Sequence, residues 1–317
     1  MSDTGETPSV EEGKVQAPDG VALRYRRCRP ARPAHPVSQA AEGGRAPLVV
    51  ANAIYLEDDL AGLAEGREVV FYDLRGRGLS DAVTDPARLG IERDVEDLET
   101  VRSALGLDRM DLLGHSYLGL MVVLYALEHP ERLGRIVQIG PAGPANEFLD
   151  RTPRPGSDPE ALDLAAWQAL LADRATPVRD PKTYSRRFWE IFLPYMFGDP
   201  AKARAYRMPD FDDVPNEWPS NMNRTIRAVM ASMAGYDVRE RAAAVEAPVL
   251  IVHGTKDRNA PYESAIAWLA CLGNARLLTV PGAAHMPWAE EPDKVLPAIE
   301  TFLNGKWPEE AEGPGEE

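Results

Sequence analysis

The sequence predicts an α/β fold: a mostly parallel, doubly wound sheet with a helical cap inserted after the sixth strand. Short apolar, β-branched runs of strand length recur at residues 48–51, 68–73, 109–114, 135–139, 247–253 and 275–280. The polar residues best suited to chemistry each fall in a loop just past such a run, where open α/β sheets gather their ligands. Finally, the strand–helix rhythm stops between Pro144 and Arg241 and then resumes, which marks an insertion.

The elements follow in order. Residues 14–17 and 21–27 flank Pro18-Asp19-Gly20, a turn signal that predicts a hairpin. Residues 29–47, rich in Pro, Ala and Gly, predict a mobile surface excursion before the strand 48–51. Ile91, Val95, Leu98, Val101 and Leu105 recur at helical spacing and predict an amphipathic helix on the sheet. The segment Arg109-Met-Asp-Leu-Leu-Gly-His-Ser116-Tyr-Leu-Gly119 reads as a buried strand, a sharp turn with one serine at its tip, and a helix. That layout raises a hydroxyl above the sheet edge beside backbone N–H groups able to meet a developing oxyanion.

In the insertion, helical patterns at 162–173, 181–197, 201–206 and 221–234 are separated by prolines. The segment carries Trp167, Tyr184, Trp189, Tyr195 and Trp218; most of its aromatics are expected to build its own small core, and Trp189 and Trp218 to line a pocket over Ser116. Met222, Met230 and Met233 are expected to fill gaps in the core. After it, 247–253 empties into Gly254-Thr-Lys-Asp257, and 275–280 ends in Pro281-Gly-Ala-Ala-His285-Met-Pro. No acid follows the strand 135–139, which leaves Asp257 as the acid of a serine, acid, histidine order.

These loops resemble those of the α/β-hydrolase family, and the resemblance covers residues 14–305. Phe71-Tyr-Asp73-Leu-Arg75-Gly-Arg-Gly78-Leu-Ser80-Asp is similar to the family's loop after its fourth strand, and Pro281 to Glu290 to its histidine loop. Within the family the likeness is to the capped hydrolases grouped with proline iminopeptidases and esterases. It implies a serine hydrolase with Ser116 as nucleophile, His285 as base and Asp257 as orienting acid, and no cofactor or metal. Two positions depart from the pattern. Leu118 stands where a small residue completes Gly-x-Ser-x-Gly, with Gly119 one later, and Asn52-Ala53-Ile54-Tyr55 replaces a His-Gly turn. The oxyanion donors are expected from the backbone of Tyr117 with Ile54 or Ala53; Tyr55, His115 and Met286 are expected to face the substrate.

Composition narrows the partners. A net charge of −15 disfavours nucleic acid and anionic membrane surfaces, and the apolar run from Leu118 to Leu127 is too short to span a bilayer. With no apolar leader after Met1 and only Cys28 and Cys271, two free thiols in a cytoplasmic protein are expected, a monomer or homodimer acting on a small molecule. The expected organisation is a disordered acidic tail at 1–13, core at 14–143, cap at 144–241, core again at 242–305, and a second disordered acidic tail at 306–317. The first choice of activity is hydrolysis of a largely apolar carboxylic ester. The alternative is an iminopeptidase-like amidase, which would need cap acids such as Glu190, Asp210, Asp212, Asp213 or Glu217 to hold an ammonium. A non-catalytic ligand-binding protein on the same fold is the third reading.

Overall fold

The computed structural model describes residues 9–30, 45–149, 163–173 and 175–315. Eight strands form one sheet: β1 (Ser9–Gln16), β2 (Ala22–Arg29), β3 (Leu48–Ala51), β4 (Val69–Tyr72), β5 (Met110–His115), β6 (Leu133–Ile139), β7 (Val249–Gly254) and β8 (Ala275–Val280). Their spatial order is β1-β2-β4-β3-β5-β6-β7-β8. The β1/β2 hairpin joins β4 antiparallel, and every pair from β4 to β8 is parallel.

Strands β3, β4 and β7 are buried at every position, as expected of parallel strands covered on both faces. Their side chains alternate between two cores. Val49, Ala51, Val70 and Tyr72 point into one, with Val95, Leu98 and Val101 of the predicted amphipathic helix. Leu48, Val50, Val69 and Phe71 point into the other, against Val295, Ile299 and Phe302. The helices are α1 (Ala53–Leu56), α2 (Ile91–Ala104), α3 (Tyr117–Glu128), α4 (Leu164–Ala172), α5 (Thr176–Arg179), α6 (Pro181–Phe192), α7 (Pro200–Ala205), α8 (Pro219–Ser232), α9 (Arg239–Ala242), α10 (Tyr262–Cys271), α11 (Pro287–Glu290) and α12 (Pro292–Leu303). Between β6 and β7 the regular elements among the described residues are helical, and α4, α6 and α8 gather Leu170, Tyr184, Phe188 and Met222 into a third, small core.

Both ends differ from expectation where they are described. Residues 9–13, expected in the first tail, belong to β1, whose acids meet arginines across the hairpin: Glu11 pairs with Arg29, and Glu12 with Arg24 and Arg26. Beyond α12 the chain docks instead of trailing away. Trp307 lies 5.0 Å from the Phe302 ring, Ala311 is buried, and Glu312 exchanges backbone hydrogen bonds with Leu277 of β8. Residues 1–8, most of the predicted excursion at 29–47, and 316–317 lie outside the described residues.

The β5–α3 turn depends on two close approaches. A Cβ at Gly114 would sit 2.2 Å from the Leu118 carbonyl oxygen, and one at Gly119 would sit 2.6 Å from Pro141 Cβ. The glycine one place later than the family pattern thus lets α3 pack against the end of β6, while Leu118 turns into the core and is 1% exposed. We expect Gly114→Ala to destabilise the fold by about 1–3 kcal/mol, since backbone and not a flexible side chain must yield. Gly273→Ala, whose Cβ would meet only the Ala243 carbonyl oxygen at 3.6 Å, is the control. Urea-unfolding midpoints of the two variants check this.

Candidate active site

Ser116 caps the N-terminus of α3 with φ 62 and ψ −128, a backbone that L-residues rarely adopt. It is held there by its own main chain. Its N–H donates to the Ile139 carbonyl at 3.0 Å, and its carbonyl accepts from Gly119 and Ala142 at 3.0 and 2.9 Å. As the first residue of α3, Tyr117 has a backbone N–H without an intrahelical acceptor, beside the hydroxyl.

The predicted acid and base meet over the ends of β7 and β8. His285 Nδ1 lies 2.7 Å from Asp257 Oδ2, and both side chains are buried. Asp257 Oδ1 accepts the N–H groups of Asn259 and Ala260 at 2.8 and 2.9 Å. Burial works to raise the Asp257 pKa, but His285 and these donors outweigh it and hold the carboxyl below its ordinary range. A carboxylate can only accept, so His285 carries its proton on Nδ1 and presents Nε2 as a base. Gly140, at the end of the intervening β6, makes room: a Cβ there would lie 3.0 Å from Asp257 Oδ2 and 3.2 Å from His285 Nδ1.

Two further histidines flank the pair. His115 Nε2 donates to the His285 carbonyl at 3.0 Å, with its ring against His285 and Trp288. Burial pushes its pKa down to about 3, so this ring stays neutral. His253 donates from Nε2 to the Ala260 carbonyl at 2.9 Å, and burial lowers its pKa as well. The histidine loop is fastened to the insertion at two points. The His285 N–H donates to the Met196 carbonyl, and Glu290 accepts the N–H groups of Ala284, Gly198 and Asp199.

The turn after β3 is organised by Asp73. Its Oδ1 accepts the Ile54 N–H and its Oδ2 the Leu79 N–H, each at 2.9 Å. The predicted donor Ile54 is therefore already committed, which is a correction to the oxyanion set; Ala53, first in α1, retains an N–H with no intrahelical acceptor. Tyr55 is committed too. Its hydroxyl donates at 2.5 Å to Glu217, which receives both Nε and Nη2 of Arg77 at 3.0 and 2.9 Å and the Gly78 N–H at 2.7 Å. Burial opposes the charge on Glu217, but Arg77 prevails and keeps its carboxyl below the usual range.

Ser116 and His285 open into one cavity of about 360 Å³ beneath the helical insertion. Tyr55, His115, Trp189 and Met286 line it as expected, with Trp167, Phe188, Phe192, Met222, Ile226 and Trp288. Trp218 does not. It precedes α8 and turns its indole N–H to the Phe211 carbonyl at 3.1 Å. Among the described residues the cavity lining includes Arg77 and Arg227 but no aspartate or glutamate. Of the candidate ammonium anchors, Glu190, Asp210 and Asp212 border a separate surface cleft, Asp213 pairs with Lys182, and Glu217 belongs to Arg77. Sequence reasoning missed Arg77 and Asn52 as site residues, although both stand inside segments it had singled out.

An elbow serine on β5, an acid after β7 and a histidine after β8 are the layout of one class of enzyme. The model of the α/β hydrolase fold matches residues 53–292, and the chain belongs to that family. A proline iminopeptidase from Heyndrickxia coagulans is 24% identical over 277 residues, covering 83% of this chain and 92% of that one. A 2-hydroxymuconate semialdehyde hydrolase from Pseudomonas putida is 27% identical over 248 residues, 76% of this chain and 78% of its own. In structure, an esterase from Exiguobacterium antarcticum superposes with a TM-score of 0.64 at 20% identity, covering 93% of this chain and 100% of that one. No helix among the described residues is long and apolar enough to cross a membrane.

Asp73 yields a pH prediction. Burial raises its pKa from 3.8 to about 6, although the Leu79 and Ile54 N–H groups and Arg24 oppose the shift. The folded state thus binds its proton more tightly than the unfolded state does. Stability from this group is complete below the unfolded value and is lost as pH rises through 6. The stability of wild type relative to Asp73→Asn should fall by about 1–3 kcal/mol between pH 4 and 7.5. Denaturant titrations at those two pH values check both sign and size.

Proposed function

We propose that this chain is a serine hydrolase of small to medium, largely apolar carboxylic esters, working through Ser116, His285 and Asp257 and a covalent acyl-enzyme. The observation that carries this reading is the Asp257-held His285 sharing one apolar cavity with the elbow hydroxyl of Ser116. A serine hydroxyl is a weak nucleophile until a base takes its proton. In this reading His285 Nε2 takes that proton as Oγ bonds to the ester carbonyl carbon, and Asp257 stabilises the imidazolium that results. Collapse of the tetrahedral intermediate breaks the bond to the alcohol oxygen, which receives the proton from His285. Water, activated by the same nitrogen, then releases the acid and frees Ser116.

The lining supports an ester over an amino-terminal substrate. Among the described residues, a free ammonium would meet two arginines and no carboxylate in the cavity lining, an arrangement that costs binding. The likeness to proline iminopeptidases therefore supplies the competing arm of the test and not the first choice.

Ser116→Ala should lower turnover of short p-nitrophenyl esters by ~10⁴-fold or more while unfolding at the wild-type temperature. A fluorophosphonate should label wild type and not the variant. Turnover of a prolyl amide in preference to the esters would overturn the ester assignment, and undiminished ester turnover by Ser116→Ala would overturn the serine mechanism.

A further inference from the structure

Asn52 is the one residue of the β3–α1 turn whose conformation and bonding the fold leaves unexplained. It sits in the left-handed region, φ 68 and ψ 50, and with Ser116 it makes up the non-glycine residues of positive φ among those described. Asparagine tolerates that region better than most residues, but it does so at a cost. At the first cap of a helix its side chain would normally accept a backbone N–H from the next turn. Asn52 makes no such bond, and its amide has no hydrogen-bond partner among the described residues. The buried end is Oδ1. Nδ2 is not among the buried atoms without a partner, and Asn52 lines the cavity shared with Ser116 and His285.

The sheet register sets where that amide stands. β3 and β5 pair in parallel as Leu48↔Asp111, Val49↔Leu112 and Val50↔Leu113. The ladder ends there, and Asn52 directly follows β3 as Ser116 directly follows β5, at the same edge of two neighbouring strands about 4.8 Å apart. On the β3 side of that gap the Ile54 N–H is already spent on Asp73. A donor is thus withdrawn from the turn at the place where a second, unpartnered donor is supplied.

From this we propose that Asn52 is a catalytic residue: its side-chain Nδ2 donates to the oxyanion of the tetrahedral intermediates, alongside the Tyr117 N–H. The inference rests on the serine-hydrolase reading above. As Ser116 Oγ bonds to the carbonyl carbon, its proton passes to His285 Nε2 and the π pair of the C=O moves onto oxygen. Nδ2 and the Tyr117 N–H receive that charge. When the pair returns, the bond to the leaving alcohol breaks and His285 protonates the departing oxygen. A neutral carbonyl in the ground state gains less from the same donor, so the effect belongs to kcat.

The test compares wild type, Asn52→Gly, Asn52→Asp and Ser116→Ala on p-nitrophenyl butyrate and on the matched thionoester, whose sulfur accepts hydrogen bonds poorly. Glycine suits the left-handed backbone, so Asn52→Gly should melt at or above the wild-type temperature. Its kcat on the oxygen ester should fall ~10²–10³-fold with KM little changed, while thionoester turnover falls far less. Asn52→Asp, of the same shape without the donor, should lose at least as much and keeps the test open if the glycine variant misfolds. Equal losses on both esters, or unchanged oxygen-ester kcat in both variants, would overturn the role of Asn52. Should wild type turn over neither ester, or Ser116→Ala retain activity, the underlying serine reading falls instead, and the assignment with it.

Discussion

The parallel register of β3, β5, β6, β7 and β8 is the constraint from which the rest of this site follows. Because these strands all end on one rim, residues distant in the chain are brought within a few strand spacings: Asn52, Ser116, Gly140, Asp257 and His285. The register also dictates where side chains are forbidden. Gly114 must let the Leu118 carbonyl approach, Gly119 must let Pro141 approach, and Gly140 must leave space for Asp257 and His285. Each glycine serves an approach that the strand ends impose, so the elbow geometry is a property of the sheet as much as of the turn.

A second tie joins the insertion to this rim. Arg77 and Glu217 bury opposite charges together, with Gly78 and the Tyr55 hydroxyl completing the carboxylate's partners. A buried pair of this kind gains little net stability, since desolvation offsets most of the attraction. Breaking it is another matter, because either partner alone would be a buried uncompensated charge. The pair therefore disfavours arrangements in which the segment carrying Glu217 lifts away from the loop carrying Arg77. It also removes Glu217, the one deeply buried acid of the insertion among the described residues, from any role in charge recognition.

Much of this was legible in the chain. Strand runs at 48–51 and 275–280 match β3 and β8 at both ends, and Asp257 and His285, singled out from two separate loops, lie 2.7 Å apart, because period and turn chemistry are local properties. What was not legible depends on contacts across the fold. Nothing near Ile54 reveals that Asp73 captures its N–H, and nothing near Glu217 reveals that Arg77 claims it. Trp218 looked like a pocket aromatic because aromatics cluster in the insertion, yet its indole is drawn to a carbonyl seven residues away. The ends misled for a related reason. Acid-rich composition suggests disorder, but Glu11 and Glu12 lie opposite arginines that become neighbours only when the hairpin forms.

Three imidazoles gather here, His115 packed against His285 at 4.5 Å between ring centroids and the buried His253 3.6 Å from the carboxylate that holds His285, an arrangement that could leave the destination of a proton ambiguous. Its surroundings resolve the ambiguity. His115 and His253 each spend their Nε2 proton on a backbone carbonyl, and burial disfavours a second proton on either ring. Asp257 lies 2.7 Å from His285 Nδ1 and 3.6 Å from His253 Nε2, whose proton already goes to the Ala260 carbonyl, so the carboxylate's hydrogen bond is made to His285. His115 then contributes by what it holds in place: its hydrogen bond fixes the His285 main chain while its neutral ring fills the space beside it. The partner of each Nε2 or Nδ1 thus sets the three rings apart: His115 and His253 donate to backbone carbonyls, and His285 donates to Asp257.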